Sequence, residues 1–341
     1  MGLLILRGET MHLKAHFLLI PIIFLVIASM FSTSQNVEAM ASNIVTVSGS
    51  THMVSTDEVE CNRELTNEIA EMARATLYTT YNIYGTQTTK EKLLNMAENL
   101  FVIFYIGHGN WEFVLSNDHS YIFDDVGEKI YDFEVYYNSA YYFDKYSERI
   151  TFLWSCFQGG GFKDEPIIIG DYYPDGTPYG MPLAWLCTTA LSEDGYNDPW
   201  GSGRVFIGFS KYAPYLTYNG SLIGGLANPG YKERPLYWFT KMFFHYIFDR
   251  WEYLDPTGVS INEALDAASM IVWGIPFEQS PLYRGYVILD EDGSLVGEGK
   301  MVVYGDGSYI LPHQRVEQQG PIVPTLLVIN NFKEEGSGMV M

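Results

Sequence analysis

The sequence predicts an α/β fold: a mainly parallel sheet flanked by helices, with a small β-rich insertion after a histidine-bearing loop. Three observations predict it. Two apolar runs, 100–106 and 151–154, lack the alternation of a half-exposed strand, as expected of strands covered on both faces. Strand-like and helix-like runs alternate along most of the chain. Both apolar runs also stop abruptly at chemically distinctive residues, Gly107-His108-Gly109 and Ser155-Cys156-Phe157-Gln158-Gly159. In an open parallel sheet the site lies beyond the carboxyl ends of the strands, which is where both clusters fall.

The elements follow in order. A short strand is expected at 44–47, then a polar loop. Over 57–77, Val59, Leu65, Ile69, Met72 and Ala73 recur at helical spacing. Residues 78–84, rich in β-branched and aromatic side chains, predict a strand. Thr88 as N-cap with Glu91 at N3 predicts the next helix start, with Leu93, Leu94, Met96 and Ala97 as its apolar face. After the strand 100–106, the aromatic, acidic stretch 111–148 is expected to form short strands and loops. The strand 151–154 is followed by a long, proline-containing loop from Gly159, a helix over 181–191 and a strand over 204–209. Helices are predicted at 235–251 and 260–273, the second opened by Ser260 with Glu263 at the capping-box position. Strands at 286–289 and 300–304 are expected to flank a turn at Asp292-Gly293, and the tail around Gly336-Ser337-Gly338 to be frayed.

Composition narrows the function. A chain that is 47% hydrophobic and 16% aromatic has ample material for a core, which disfavours low-complexity disorder. A formal net charge of −21 argues against nucleic acid, since phosphate binding needs clustered Lys and Arg. Residues 1–41 have the parts of a secretory signal peptide: Lys14, the apolar run 17–31 and a small-x-small site at Ala39–Ala41, with Met11 as an alternative start. Cleavage is expected after Ala41, or after Ala39. The run is short for a spanning helix, so membrane attachment is expected only if the segment stays uncleaved. Removing it takes two basic and two acidic residues, and the charge stays at −21. A single domain over 42–341, secreted or extracytoplasmic, is therefore expected. Export makes Cys61, Cys156 and Cys187 candidates for pairing; Cys61 with Cys187 would leave Cys156 free, though three pairings and three buried thiols all stay open.

Cys156 and His108 carry the chemistry. A cysteine nucleophile needs a base within reach, and acyl transfer needs backbone N–H groups aimed at the developing oxyanion. His108 supplies the base. Gly109 and the N–H of Cys156 supply candidate oxyanion donors, and Ser155 and Gly159 leave room for a tight turn. The histidine precedes the cysteine by 48 residues. His119 and His245 are weaker bases, as neither follows a buried strand. Asp290-Glu291-Asp292-Gly293 resembles half of a calcium loop but suits a hairpin turn better; calcium stays an alternative, and no metal site is expected.

An apolar strand ending in His-Gly, and a second ending in a small residue plus Cys, resemble the caspase–legumain–gingipain superfamily of cysteine peptidases. The spacing is close to the ≈50 residues quoted for caspases. The caspase Gln-Ala-Cys-x-Gly is not matched, since Trp154-Ser155 replaces Gln-Ala and glycine comes one position later. Cys-x-x-Gly is closer to legumains and gingipains, and Gly107-His108-Gly109 is most similar to the gingipains. The resemblance spans roughly 44–310, with only the two short blocks specific. It implies a caspase-like fold, Cys156 as nucleophile, His108 as general base and leaving-group acid, Gly109 as oxyanion donor and a polypeptide substrate. Such peptidases cleave after one preferred side chain, Asp, Asn, Arg or Lys. Asp171, Asp175, Asp194 and Asp198 follow the nucleophile and, with Trp154, are candidates for the substrate pocket. Two other readings remain: an inactive member of the fold used for surface binding, and a transpeptidase using the same thioester.

Overall fold

The computed structural model describes residues 44–76, 78–99, 102–115, 117–142, 149–159, 180–186, 203–248, 258–290 and 292–311. The expected signal segment, the tail, Cys187 and the candidates Asp171, Asp175, Asp194 and Asp198 lie outside them. The first half forms β1 (Ile44–Gly49), α1 (Thr56–Ala75), β2 (Thr79–Tyr84), α2 (Lys90–Asn99), β3 (Val102–Ile106), β4 (Gly109–Val114), β5 (Asn117–Phe123), β6 (Lys129–Tyr131) and α3 (Asp132–Tyr142). The second half forms β7 (Arg149–Trp154), α4 (Met181–Leu186), β8 (Arg204–Phe209), α5 (Pro235–Phe248), α6 (Ile261–Trp273), α7 (Pro281–Arg284), β9 (Tyr286–Leu289), β10 (Leu295–Gly299) and β11 (Met301–Gly305).

The central sheet runs β2-β1-β3-β7-β8-β11. Its first five strands are parallel and β11 is antiparallel to β8. Both apolar runs are covered on two faces. Val102, Phe104 and Ile106 join a core with Phe152 and Trp154 beneath α1, α5 and α6. Ile103, Tyr105 and Leu153 join a second core with residues of α2, α3, α4 and the small sheet β4-β5-β6. This sandwiching is why β3 and β7 are uninterrupted apolar runs. The chain reverses direction across the sheet between β1 and β3, leaving a crevice at their carboxyl ends beside β7.

Three local expectations need correction. Thr88 does not cap α2; its hydroxyl lies within hydrogen-bond reach of the carbonyls of Gly49 and Ile83, between β1 and β2. Thr89 takes the cap, its oxygen accepting from Lys92 N–H at 3.3 Å. The stretch 111–148 includes the helix α3, whose first residue, Asp132, accepts from Phe133 N–H at 2.7 Å. The strand at 286–289 pairs with β10 around the Asp292-Gly293 turn, while the expected 300–304 strand becomes β11 at the edge of the main sheet. Sheet pairing is a non-local choice, and strand residues alone do not specify it. The capping box at Ser260 and Glu263 forms as expected.

Candidate active site

A cavity of about 390 Å³ opens at the carboxyl ends of β3 and β7, lined by His108, Gly109, Trp154 and Cys156 among others. Two non-adjacent segments thus bring the imidazole and the thiol to one space. β3 and β7 are in register, Ile106 opposite Trp154, and the pairing continues as Gly107 N–H donates to Trp154 O at 3.2 Å. The two loops therefore leave the sheet side by side.

His108 is half-buried, and its Nε2 lies 3.0 Å from the carbonyl oxygen of Met53, in the loop after β1. A carbonyl only accepts, so the neutral ring carries its proton on Nε2 and its lone pair on Nδ1. Tyr215 stands edge-on to the ring, centroids 6.1 Å apart. Burial pushes the His108 pKa down; the Met53 carbonyl opposes this, and the charge of nearby His52 adds to it. The imidazole is therefore neutral near pH 7 and held in one orientation.

Cys156 sits in a tight turn. Its Sγ accepts from Ala213 N–H at 3.3 Å and lies 3.9 Å from Ala213 O. Burial pushes the thiol up to about 11, outweighing the lowering effect of Ala213 N–H and its own N–H. In this resting arrangement the thiol is paired with Ala213 rather than with His108, and neither group is charged near neutrality. The turn is anchored on both sides. Phe157 N–H donates to Lys211 O at 2.6 Å, and Gly159 N–H to Phe209 O at 2.8 Å. Buried Gln158 donates to Tyr121 O at 3.1 Å and to Cys156 O at 2.5 Å.

Packing alone requires glycine at position 109. A Cβ there would fall under 3.0 Å from Ser155 Oγ, Gln158 Nε2 and Cys156 O. The start of β4 packs directly against the cysteine turn, and only glycine allows that approach. Backbone strain gathers here too. Among the described residues three non-glycines have positive φ, and two are Met53 (61°), which orients His108, and Phe157 (59°), which follows the thiol. Such conformations cost of order 1–3 kcal/mol each and persist where their surroundings impose them.

Trp154 lines the cavity, and its indole N–H donates to Pro214 O at 2.7 Å, which holds the loop after β8. That loop escaped the sequence reading, although Tyr212, Ala213, Tyr215 and Tyr218 all line the cavity. The signal was present: 204–209 is a third apolar run, and the carboxyl-end rule applies to it equally. Glu58 was also missed. It is 2% exposed, lines the cavity and accepts from Leu216 N–H at 2.7 Å, Thr217 N–H at 3.1 Å and Thr217 Oγ1 at 2.8 Å. Burial raises its pKa against the lowering effect of these donors. Its place beside Cys61, Asn62 and Leu65 on the buried face of α1 was the available clue.

His119 is wholly buried, its Nδ1 2.7 Å from Asp132 Oδ1, and serves the small sheet rather than the cavity. Cys61 is a buried free thiol on α1, pushed up to about 11 by burial; its expected partner lies outside the described residues. Asp290 N–H donates to Ser294 O at 2.8 Å and Gly293 N–H to Asp290 O at 2.9 Å, the pairing of a hairpin turn. Among the described residues no group of three or more His, Cys, Asp or Glu side chains could hold a metal ion, and no helix is long and apolar enough to cross a membrane. No protein-family model matches the chain, and no curated protein is similar enough to count as a match.

Proposed function

We propose that this chain is an exported cysteine endopeptidase with a caspase-like fold, working through a Cys156–His108 dyad. One observation carries the reading: a thiol and a carbonyl-oriented imidazole, from loops after adjacent parallel strands, line the same cavity at the sheet's switch point. Nucleophile, base and an orienting third group is the logic of activated-nucleophile sites.

In the proposed reaction the substrate carbonyl enters beside Cys156 and displaces the thiol from Ala213. The thiol proton passes to His108 Nδ1 as Sγ attacks the carbonyl carbon. The oxyanion is held by the N–H groups of Gly109 and Cys156. His108 then protonates the leaving amine as the C–N bond breaks, giving the free amine and a thioester. Water, deprotonated by His108, cleaves the thioester, and the proton returns to sulfur. The resting neutrality of both groups supports proton transfer during attack over a preformed ion pair. That same resting arrangement also gives the inactive-scaffold reading its best support, since a half-buried neutral thiol paired with Ala213 is unreactive until rearranged.

The test compares the secreted chain with its Cys156→Ala variant on a peptide library carrying each amino acid before the scissile bond, read by mass spectrometry under reducing conditions. Cleavage lost in the variant supports the peptidase. Uncut peptides, with or without calcium, together with a Cys156 that resists alkylation even at alkaline pH, would leave a binding scaffold. Joined products in the presence of an added amine would indicate the transpeptidase.

A further inference from the structure

The mouth of the cavity lies between two hairpins that both expose large apolar side chains. On the first, Trp111 is 39% and Phe113 68% exposed. They stand two residues apart on β4 and so share a face. On the second, Leu295 and Val296 of β10 are 64% and 51% exposed. Trp111 and Val296 also line the cavity, so each apolar flank is continuous with the space that holds Cys156 and His108. Tyr212, 40% exposed, packs beside Gly297 between the cavity and the second hairpin.

Among the described residues, formal charge inside the cavity is scarce. Glu58 is, among the described residues, the one acidic side chain lining the cavity, and its carboxylate is engaged by three donors from Leu216 and Thr217. It clamps the loop that carries Ala213 and Tyr215 and is not presented to a cationic guest. A volume near 390 Å³ is at the small end for ligand pockets, which run ≈300–1,000 Å³. It admits one residue and its main chain, and an extended polypeptide advancing ~3.3 Å per residue must lay its neighbours on the two rims.

We infer that the substrate is a polypeptide segment with apolar side chains on both sides of the reacting bond, one flank seated on Trp111 and Phe113, the other on Tyr212, Leu295 and Val296. This rests on the peptidase reading and adds its substrate class. Exposed apolar surface beside a reactive cavity is otherwise an aggregation liability on a secreted chain, and a bound apolar segment covers it.

Binding separates the two readings because it does not require catalysis. Dye-labelled decapeptides with a randomised centre carry either Leu, Phe and Val or Glu and Lys at the flanking positions, and anisotropy is measured with the full-length chain bearing Cys156→Ala. Apolar-flanked peptides should bind at least tenfold more tightly than charged ones. Phe113→Ser and Leu295→Ser, both at exposed positions, should each weaken apolar peptides roughly tenfold, as truncating an interface anchor does, and leave the melting temperature unchanged. Equal affinity for both peptide sets, or unchanged affinity in both variants, overturns the inference. So does a dimer in sedimentation that Phe113→Ser dissociates while no peptide binds, since the surface then serves a second copy. Tight apolar binding with no cleavage by the unmodified chain keeps this surface and removes the peptidase.

Discussion

Alkylation of Cys156 as a function of pH tests the electrostatics of the site directly. Burial holds the thiol at about 11, against ~8.5 for an ordinary cysteine. At pH 7 the thiolate fraction is then ~1 in 10,000, about 300-fold below that of an exposed cysteine. A more basic thiolate is intrinsically more nucleophilic, which recovers roughly tenfold and leaves labelling about 30-fold slow. The assay is reaction with chloroacetamide from pH 6 to pH 10, read by mass on the peptide containing Cys156. The rate should climb close to tenfold per pH unit with no plateau below about pH 10, and His108→Ala should leave that slope unchanged, because the resting thiol is paired with Ala213. A rate already flat between pH 6 and pH 7, and lost in His108→Ala, would refute the reasoning and establish a preformed ion pair. The folded state favours the neutral thiol, so its contribution to stability is present below the unfolded value near 8.5 and is lost as pH rises towards 11.

Other perturbations reach the scaffold around Cys156 and His108. Gly109→Ala forces a Cβ into Ser155, Gln158 and the Cys156 carbonyl; a loss of about 1–3 kcal/mol by denaturant melt, and a peptidase rate reduced at least tenfold, are expected. Met53→Gly should retain activity, because the acceptor for His108 is a backbone carbonyl and glycine adopts φ near 61° freely, whereas Met53→Pro, locked near −65°, should abolish it. Glu58→Gln sets an amide N–H₂ against Leu216 or Thr217 N–H and should lower stability by about 1–3 kcal/mol, with a matching fall in melting temperature; an unchanged melt would refute the clamp. Ser260→Ala removes the capping box of α6 and should cost about 1 kcal/mol, with no effect on peptide cleavage.

Local patterning determined much of this protein. The doubly covered strands β3 and β7 were legible because burial on both faces demands continuous apolar residues, and α6 was legible because Ser260 and Glu263 satisfy each other's backbone within one turn. His108 and Cys156 stood out because each ends such a strand. What the sequence could not contain was pairing and proximity. Residues 300–304 read equally well as the second arm of a hairpin, and only packing against β8 decided that they close the main sheet. Ala213 and Glu58 entered the site because β8 lies beside β7 and α1 crosses beneath the loop after β8, contacts between segments about 57 and 158 residues apart. The charge states turned on the same cause. An imidazole and a thiol promise an ion pair on paper, but desolvation depends on what the folded chain places around each group, and here it holds both neutral.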